Sequence, residues 1–578
     1  MMGGYGFFVL CVCVVLAVIA IAGAIRGRRE TERERARLLH DFGTPPGPVK
    51  EDPFVRIQRV GGYYRAHLSE ETTARGHIDD ITWNDLGMDA VFDRLDTCQS
   101  AAGEEILYDM LRRPQLVDDF SRMEEQIQAV TKQPEDRVRL QLFYRRIGRP
   151  SKYSLYDYLS LLETLPAQSD VPHLAALAVI VLAIVLIIAG IQAGIWLLIL
   201  VLFYNVIAYY RTKGVVEPYY ITLRYLLREL AGAEGLVRTG SQIFDQELAQ
   251  IAGLVRGMGS FRRGSDLVMG GGNAVGSGNP VDLLMDYIRM LTHIDLIKFN
   301  QMVRVIRGRK EAIDELQELM GRIEAVIAIA SFRESLRKQG VCVPDFAMPE
   351  QGYALTEGYH PLMATPVKNT IETRRGVLIT GSNASGKSTF LKTCAINAIL
   401  AQSVHTCAAS GYRAPLYRIY SSMALRDDLD EGESYYIVEI KSLKRILDAA
   451  DAAPETPLLC FIDEVLRGTN TVERIAASCE ILRCFSGQQT MCFAATHDGE
   501  LTELLSEDYD LYHFEGEIRS VQTEDGTQKR DVHFDYTLRD GAATTRNAIE
   551  LLSILGYDDA VTDRAQALAT RFEQTGRW

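Results

Sequence analysis

Apolar and polar positions along this chain fall into four textures, and each predicts a different kind of element. Tyr5 to Ile25 is a run of about twenty uncharged residues, long enough for one helix to cross a bilayer. Leu174 to Tyr210 is a second uncharged block, with Gly190-Ile191-Gln192-Ala193-Gly194 at its middle. It is too long for one span, so it predicts a hairpin of two helices, 174–189 and 195–210, joined by a tight turn. At 1.5 Å per residue each would reach roughly 24 Å, short of a ~30 Å hydrocarbon core. Asp79 to Leu162, Glu217 to Leu254 and Pro280 to Arg337 interleave charges with Leu and Ile at helical spacing. From about Phe346 onward, short β-like runs alternate with helical ones, as in a parallel α/β sheet. Between these textures lie a proline-rich linker, 40–53, and a glycine-rich loop, 257–278.

Charge orients the apolar blocks. Arg26, Arg28, Arg29, Arg33, Arg35 and Arg37 follow the first one directly, so its start is expected to face outward and the bulk of the chain the cytoplasm. A cleaved signal peptide is the competing reading, but its basic residues belong before the apolar run. Trp196, Tyr204, Tyr209 and Tyr210 are candidate interfacial anchors, and Arg211 and Lys213 follow on the cytoplasmic side. The expected topology is a multi-pass membrane protein with three spans, 5–25 and two within 174–210. The expected domains are 1–50 (anchor, basic segment and linker), 51–350 (helical region with hairpin and glycine-rich loop) and 351–578 (α/β domain).

Composition narrows the partners. Net charge is −14 over 578 residues, which argues against a nucleic-acid coat over the whole surface, though not against a local basic patch. The ten cysteines form no C-x-x-C pair, so neither a zinc site nor a disulfide framework is expected.

Gly381-Ser382-Asn383-Ala384-Ser385-Gly386-Lys387-Ser388 matches the phosphate-binding pattern G-x-x-x-x-G-K-[ST]. The apolar run 376–380 leads into it, and Thr389 and its successors continue as a helix. Glycines in such a loop let backbone N–H groups wrap phosphates, and the helix N-terminus adds its positive dipole end. Lys387 is the candidate partner of the outer phosphates and Ser388 of Mg²⁺. Leu458 to Ile462 reads as a buried strand ending in Asp463-Glu464, at the edge where open α/β sheets bind ligands. Asp463 is then a second Mg²⁺ partner, and Glu464 the candidate base for an attacking water; a surface acidic pair capping a helix is the alternative. A third strand, 490–495, precedes Thr496-His497-Asp498, where His497 is a candidate γ-phosphate sensor. Gly432-Glu433-Ser434 precedes a helix over 437–447, and spacing alone makes Ser434 a simple N-cap.

These segments together resemble one family. T-G-S-N-A-S-G-K-S-T-F-L, D-D-L-D-E-G-E-S-Y-Y-I-V-E-I, F-I-D-E-V-L-R-G-T-N-T and A-A-T-H-D are similar to the ATPase domain of MutS mismatch-repair proteins, over roughly 359–567. His360-Pro361 resembles the start of that domain, Asn369 takes the place of an Asn near the nucleotide, and Phe534-Asp535-Tyr536 resembles its closing strand. Upstream, Phe92 to Thr97 with Gly103 and Leu111 to Pro114 resemble the start of the family's helical core. The resemblance implies an α/β ABC-type P-loop ATPase domain plus an all-α core and lever region, to which the hydropathy pattern adds three predicted transmembrane helices. It implies ATP and Mg²⁺ as cofactors, a homodimer, and Ser434 reaching the partner's γ-phosphate in trans. Arg467-Gly468-Thr469 would face the partner. DNA is the implied partner.

The sequence also departs from the family. Ser382, Ala384 and Ser385 stand where Pro, Met and Gly are usual, Leu466 where Gly is usual, and Val472-Glu473-Arg474 replaces an Asp-Gly continuation. Residues 1–50 read as anchor and linker, without the family's Phe-x-Glu wedge. The primary expectation is a membrane-anchored ATPase with a DNA-binding, mismatch-repair-related role. The alternative is a mechanochemical or scaffold ATPase acting on proteins, and a transporter component is a third. A DNA clamp must present basic residues, and Arg262-Arg263 and the 304–310 cluster are the candidates.

Overall fold

The computed structural model describes residues 25–47, 51–69, 76–149, 153–166, 168–265, 287–347, 352–382, 385–423, 435–453, 455–466, 470–487, 489–522, 528–543 and 556–575, with Ala22, Val268, Ile549, Leu552 and Ile554. The expected anchor, 5–25, apart from Ala22 and Ile25, and most of the glycine-rich loop, 257–278, lie outside the described residues. The chain packs as two units, neither contiguous in sequence: 1–67, 96–108 and 125–331 in one, and 68–95, 109–124 and 332–578 in the other.

The first unit is helical. Pro134–Ile147 packs against Tyr220–Thr239, where Gly232 meets Ile147 and Gly235 meets Phe143, and Tyr220 meets Phe299 of Ile294–Arg307 edge to face. Charges are buried there as well. Arg56 meets Asp96 at 2.5 Å, and Arg59 and Arg149 meet Glu104 at 2.7 and 2.8 Å. Glu324 accepts from the Gln99 and Ser100 amides at 2.5 and 3.2 Å. A Cβ on Gly103 would lie 2.3 Å from Glu324 Oε2, so only glycine fits there. This explains why Asp96 and Gly103 carry the resemblance: one pairs with a buried arginine and the other makes room for a buried carboxylate.

The hairpin is present and longer than its apolar block. Its helices are Val171–Ile188 and Ala193–Val216, and both are long and apolar enough to cross a membrane. They extend to roughly 27 and 36 Å at 1.5 Å per residue, because the second continues through Arg211 and Lys213 as an ordinary polar helix. Gly194 packs against Ala183 and Leu186, and a Cβ there would come within 2.9 Å of both. Ile188, Trp196, Leu200 and Phe203 are 69–81% exposed. At its base the hairpin is tied down by polar contacts. His173 Nδ1 lies 2.9 Å from His293 Nδ1, Asn205 donates to the Leu291 carbonyl, and the Tyr209 hydroxyl donates to Asp295. Tyr209 is therefore buried, while Tyr204 and Tyr210 stay exposed.

The second unit is built on a six-stranded sheet. Its strands include β3 (Gly376–Gly381), β5 (Arg418–Ser422), β6 (Leu458–Asp463), β7 (Thr490–Ala495), β8 (Tyr509–Phe514) and β11 (Arg539–Asp540), in the order β11-β8-β3-β7-β6-β5. All neighbours are parallel except β11. Smaller sheets flank it: β1 (Tyr353–Gly358) between β2 (Asn369–Thr373) and β4 (Gly411–Arg413), and the ribbon of β9 (Gly516–Gln522) with β10 (Gln528–Phe534). Central strands β6 and β7 are continuous apolar runs because both faces are covered, as parallel sheets require. Helix Lys387–Val404 is buried nearly all round, a core helix rather than a surface one.

A sequence reading draws one boundary near residue 350, but earlier residues pack with this sheet. Helix Asp80–Leu86 lies along edge strand β5. Ser421 N donates to Thr82 Oγ1 at 3.0 Å, and Asp85 accepts from Ser421 Oγ and Met423 N at 2.8 and 2.9 Å. The chain returns to the same unit after Glu324, at Arg333, whose guanidinium bonds Glu124 through both nitrogens at 2.7 and 2.9 Å.

Candidate functional site

The carboxyl ends of three adjacent strands build the site. In register, Ile379 of β3 and Asp463 of β6 both sit opposite Ala495 of β7. Backbone bonds continue past the strand ends: Glu464 N donates to Ala495 O, and Thr496 N to Ile379 O, each at 2.9 Å. The loops after these strands therefore converge on one cavity of about 780 Å³. Its walls include Ser385, Gly386, Lys387, Ser388, Thr389, Asn369, Asp463, Glu464 and His497. Sequence reasoning placed all nine in one site, and they share one cavity. Gly381 and Ser382 stand just behind it, bonded to Lys387. Asn383, Ala384 and Ser434 lie outside the described residues, as does Arg467-Gly468-Thr469.

Loop geometry suits a phosphate chain. Gly381 and Gly386 have φ of +143° and +110°, the region open to glycine. A Cβ on Gly381 would also meet the Phe514 carbonyl at 2.6 Å. Gly386 caps helix Lys387–Val404 without a side-chain bond of its own, and N–H groups at a helix start serve anions. The Ser385 hydroxyl is buried with no hydrogen-bond partner among the described residues, and burying a polar group unpaired is costly. A bound phosphate oxygen fits both features.

Lys387 is nearly buried, at 5% exposure. Its ammonium donates to Gly381 O and Ser382 O at 2.8 and 2.9 Å and lies 3.3 Å from His497 Nε2. The same His497 nitrogen is 2.8 Å from Glu464 Oε1. The cation asks that nitrogen for a lone pair and the carboxylate asks it for a proton, so the imidazole is the junction of the site. Glu464 takes φ of +66° and Leu466 +60°, which turns the chain sharply behind the carboxylates. Leu466 is 2% exposed, and its amide donates to the buried Glu439 carboxylate at 2.7 Å.

Met363, Phe390, Phe514 and Tyr536 form the apolar part of the wall, with His360 beside them. Burial, with Lys392 nearby, pushes the His360 imidazole down to about 4, so it is neutral at physiological pH. Asn369 works through the backbone: it donates to Tyr536 O at 3.0 Å and accepts from Leu538 N at 2.8 Å, fixing the Tyr536 segment against the cavity. The His-Pro and Phe-Asp-Tyr segments were the only sequence signals for His360 and Tyr536; Phe514 merely ends a strand.

Residues 377–573 match the family profile described as MutS domain V. Over these residues the chain is similar to the MutS family. The "DNA mismatch repair protein MutS" of Natronomonas pharaonis is 30% identical over 284 residues, covering 47% of this chain and 31% of that protein. The protein of the same description from Thermosipho melanesiensis is 30% identical over 287 residues, 48% of this chain and 33% of its own. "DNA mismatch repair protein MutS 2" of Halobacterium salinarum is 31% identical over 272 residues, 45% and 29%. The chain thus spans about a third of the length of these curated MutS relatives.

Four of the basic residues proposed from sequence for DNA, Arg262, Arg304, Arg307 and Lys310, have partners within the helical unit. Arg304 pairs with Asp170 at 2.7 Å, and Arg307 donates to the Leu162 and Leu165 carbonyls at 2.6 and 2.5 Å. Arg262 pairs with Glu234 and Lys310 with Glu163.

Proposed function

We propose that this chain is a membrane-held ATPase of the MutS type, which binds ATP and hydrolyses it in a site completed by a second copy. The observation that supports this most is the meeting, in one cavity, of the Gly381–Ser388 loop with Asp463, Glu464 and His497. Loop amides, the Ser385 hydroxyl and Lys387 would hold the phosphates. Ser388 and Asp463 would hold Mg²⁺, which supplies charge neutralisation between phosphate oxygens. The apolar wall of Phe514 and Tyr536 would take the base. Glu464 is the proton acceptor for an attacking water, and its bond to His497 orients both groups. Ser434 would come from the partner copy, so nucleotide would close a homodimer and hydrolysis would reopen it. The exposed apolar hairpin supports immersion in a bilayer, since so much contiguous apolar surface is rare on soluble monomers.

The named relatives make a DNA-repair role the first substrate assignment. A second reading, in which the ATPase works on proteins or on membrane organisation, is favoured by the internal pairing of Arg262, Arg304 and Lys310. Phosphate binding must first break such pairs, which weakens the electrostatic term that dominates DNA affinity.

The test uses the full chain in detergent. Mg²⁺-dependent ATP turnover is expected, with Lys387→Ala losing tight ATP binding. Glu464→Gln should keep binding, lose turnover, and sediment as a dimer with ATP. Normal turnover in Glu464→Gln would contradict its role, and a fully active monomer would remove the shared site. Salt-sensitive binding of homoduplex, mismatched or branched DNA separates the two substrate readings.

A further inference from the structure

Arg474 and Asp498 form a pair that the site described so far does not use. Arg474 lies in the first turn of helix Thr471–Phe485, which follows the loop after Asp463-Glu464. That helix start is firm, because the Asn470 side chain caps it by accepting from Val472 N at 3.0 Å. Asp498 immediately follows His497 on the turn after β7. The guanidinium meets the carboxylate in two parallel bonds, Nε to Oδ2 at 2.9 Å and Nη2 to Oδ1 at 2.6 Å. Both side chains are largely withdrawn from solvent, at 24% and 16% exposure.

A two-bond fork fixes direction as well as distance, which a single ion pair does not. The turn it grips is short. On one side Thr496 N is bonded to Ile379 O at 2.9 Å; on the other Asp498 N donates to Thr496 Oγ1 at 3.0 Å. His497 sits between these restraints. Its imidazole must keep one nitrogen within reach of both Glu464 and Lys387, at 2.8 and 3.3 Å. Rotation of the turn by a fraction of an ångström would favour one partner over the other.

We propose that Arg474 and Asp498 are positioning residues that clamp the turn bearing His497 and so set its contact with Glu464 and Lys387. Neither residue lines the cavity, so neither touches the nucleotide. The assignment rests on the ATPase reading above for its kinetic consequence, but its structural consequence is independent of it.

Two measurements on the full chain test this. The first is the rate at which diethyl pyrocarbonate modifies His497, followed by mass spectrometry without nucleotide. Arg474→Ala and the near-isosteric Asp498→Asn should each raise that rate several-fold, leaving modification of His360 unchanged. The second is steady-state ATP turnover. Each single variant should lower kcat by about tenfold, as expected for a misaligned catalytic group, with KM for ATP within about twofold. Because the two residues act as one clamp, Arg474→Ala combined with Asp498→Asn should be no worse than either alone. An unchanged His497 modification rate in both single variants would overturn the inference, as would multiplying losses in the double variant. A native chain that turns over no ATP sinks the ATPase reading instead, and the modification rate still decides the clamp.

Discussion

Leu466 offers a quantitative test of how the loop behind the carboxylates is built. It is buried to 2% exposure in the apolar cluster with Ile462, Val465 and Leu482, yet holds φ of +60°. Truncating a buried Leu to Ala costs about 2–5 kcal/mol. Going on to Gly normally costs more: about 1 kcal/mol of backbone entropy and about 0.8 kcal/mol for the last methyl. At Leu466 the left-handed backbone charges any Cβ-bearing residue roughly 1–2 kcal/mol, and glycine escapes that charge. The terms largely cancel, so Leu466→Gly and Leu466→Ala should be equally stable within about 0.8 kcal/mol. Leu482, fully buried in helix Thr471–Phe485, is the reference. There Gly should fall below Ala by about 1.5–2 kcal/mol, since no strain is relieved. Pulse proteolysis of the full chain across a urea series, following the C-terminal fragment, gives the four midpoints. If Gly trails Ala by the same margin at both positions, the strain assigned to Leu466 is absent.

Two further outcomes follow from the helical unit. Burial pushes the Glu324 carboxyl up to about 8 and Glu104 to about 7. A raised carboxyl binds its proton more tightly in the folded state, so its contribution is complete below about pH 4.5 and is lost as pH rises through 8. Glu324→Gln should therefore flatten the fall in urea midpoint between pH 5 and 8; an unchanged slope would refute the burial argument. For the hairpin, Leu200→Lys and Phe203→Lys each place a charge on an exposed apolar face, at about 2.5–3.5 kcal/mol in a bilayer centre. In a chain lacking the expected anchor, 5–25, flotation with liposomes should drop when both are combined, and undiminished flotation would show that the hairpin is not immersed.

The sequence foretold what depends on local pattern. The strand at 490–495 and the core of the strand at 458–463 emerge where the apolar runs stand, because a strand covered on both faces must be apolar throughout. The loop glycines were legible because only glycine takes those backbone angles. Element ends were less so. The helix expected over 437–447 runs from Tyr435 to Ala452, since alanines and aspartates beyond the apolar stretch continue it without signalling. Contacts between distant segments left no local trace. Nothing near Thr82 or Asp85 announces a bond to Ser421, and the Tyr536 contact with Asn369 joins residues 167 positions apart. Nor did the sequence show that Arg304 and Lys310 pair with Asp170 and Glu163, which are remote in sequence.

Strand β5 ends the six-stranded sheet, and helix Asp80–Leu86 lies along it through Thr82 and Asp85. A fragment cut to the limits of the matched profile, or anywhere after residue 95, would bare that border. Uncapped strand borders recruit other chains, so such a fragment should precipitate or form fibrils even with its phosphate loop intact. Anyone producing the sheet-bearing half by itself must therefore carry this small N-terminal helix along, fused or supplied as a second polypeptide.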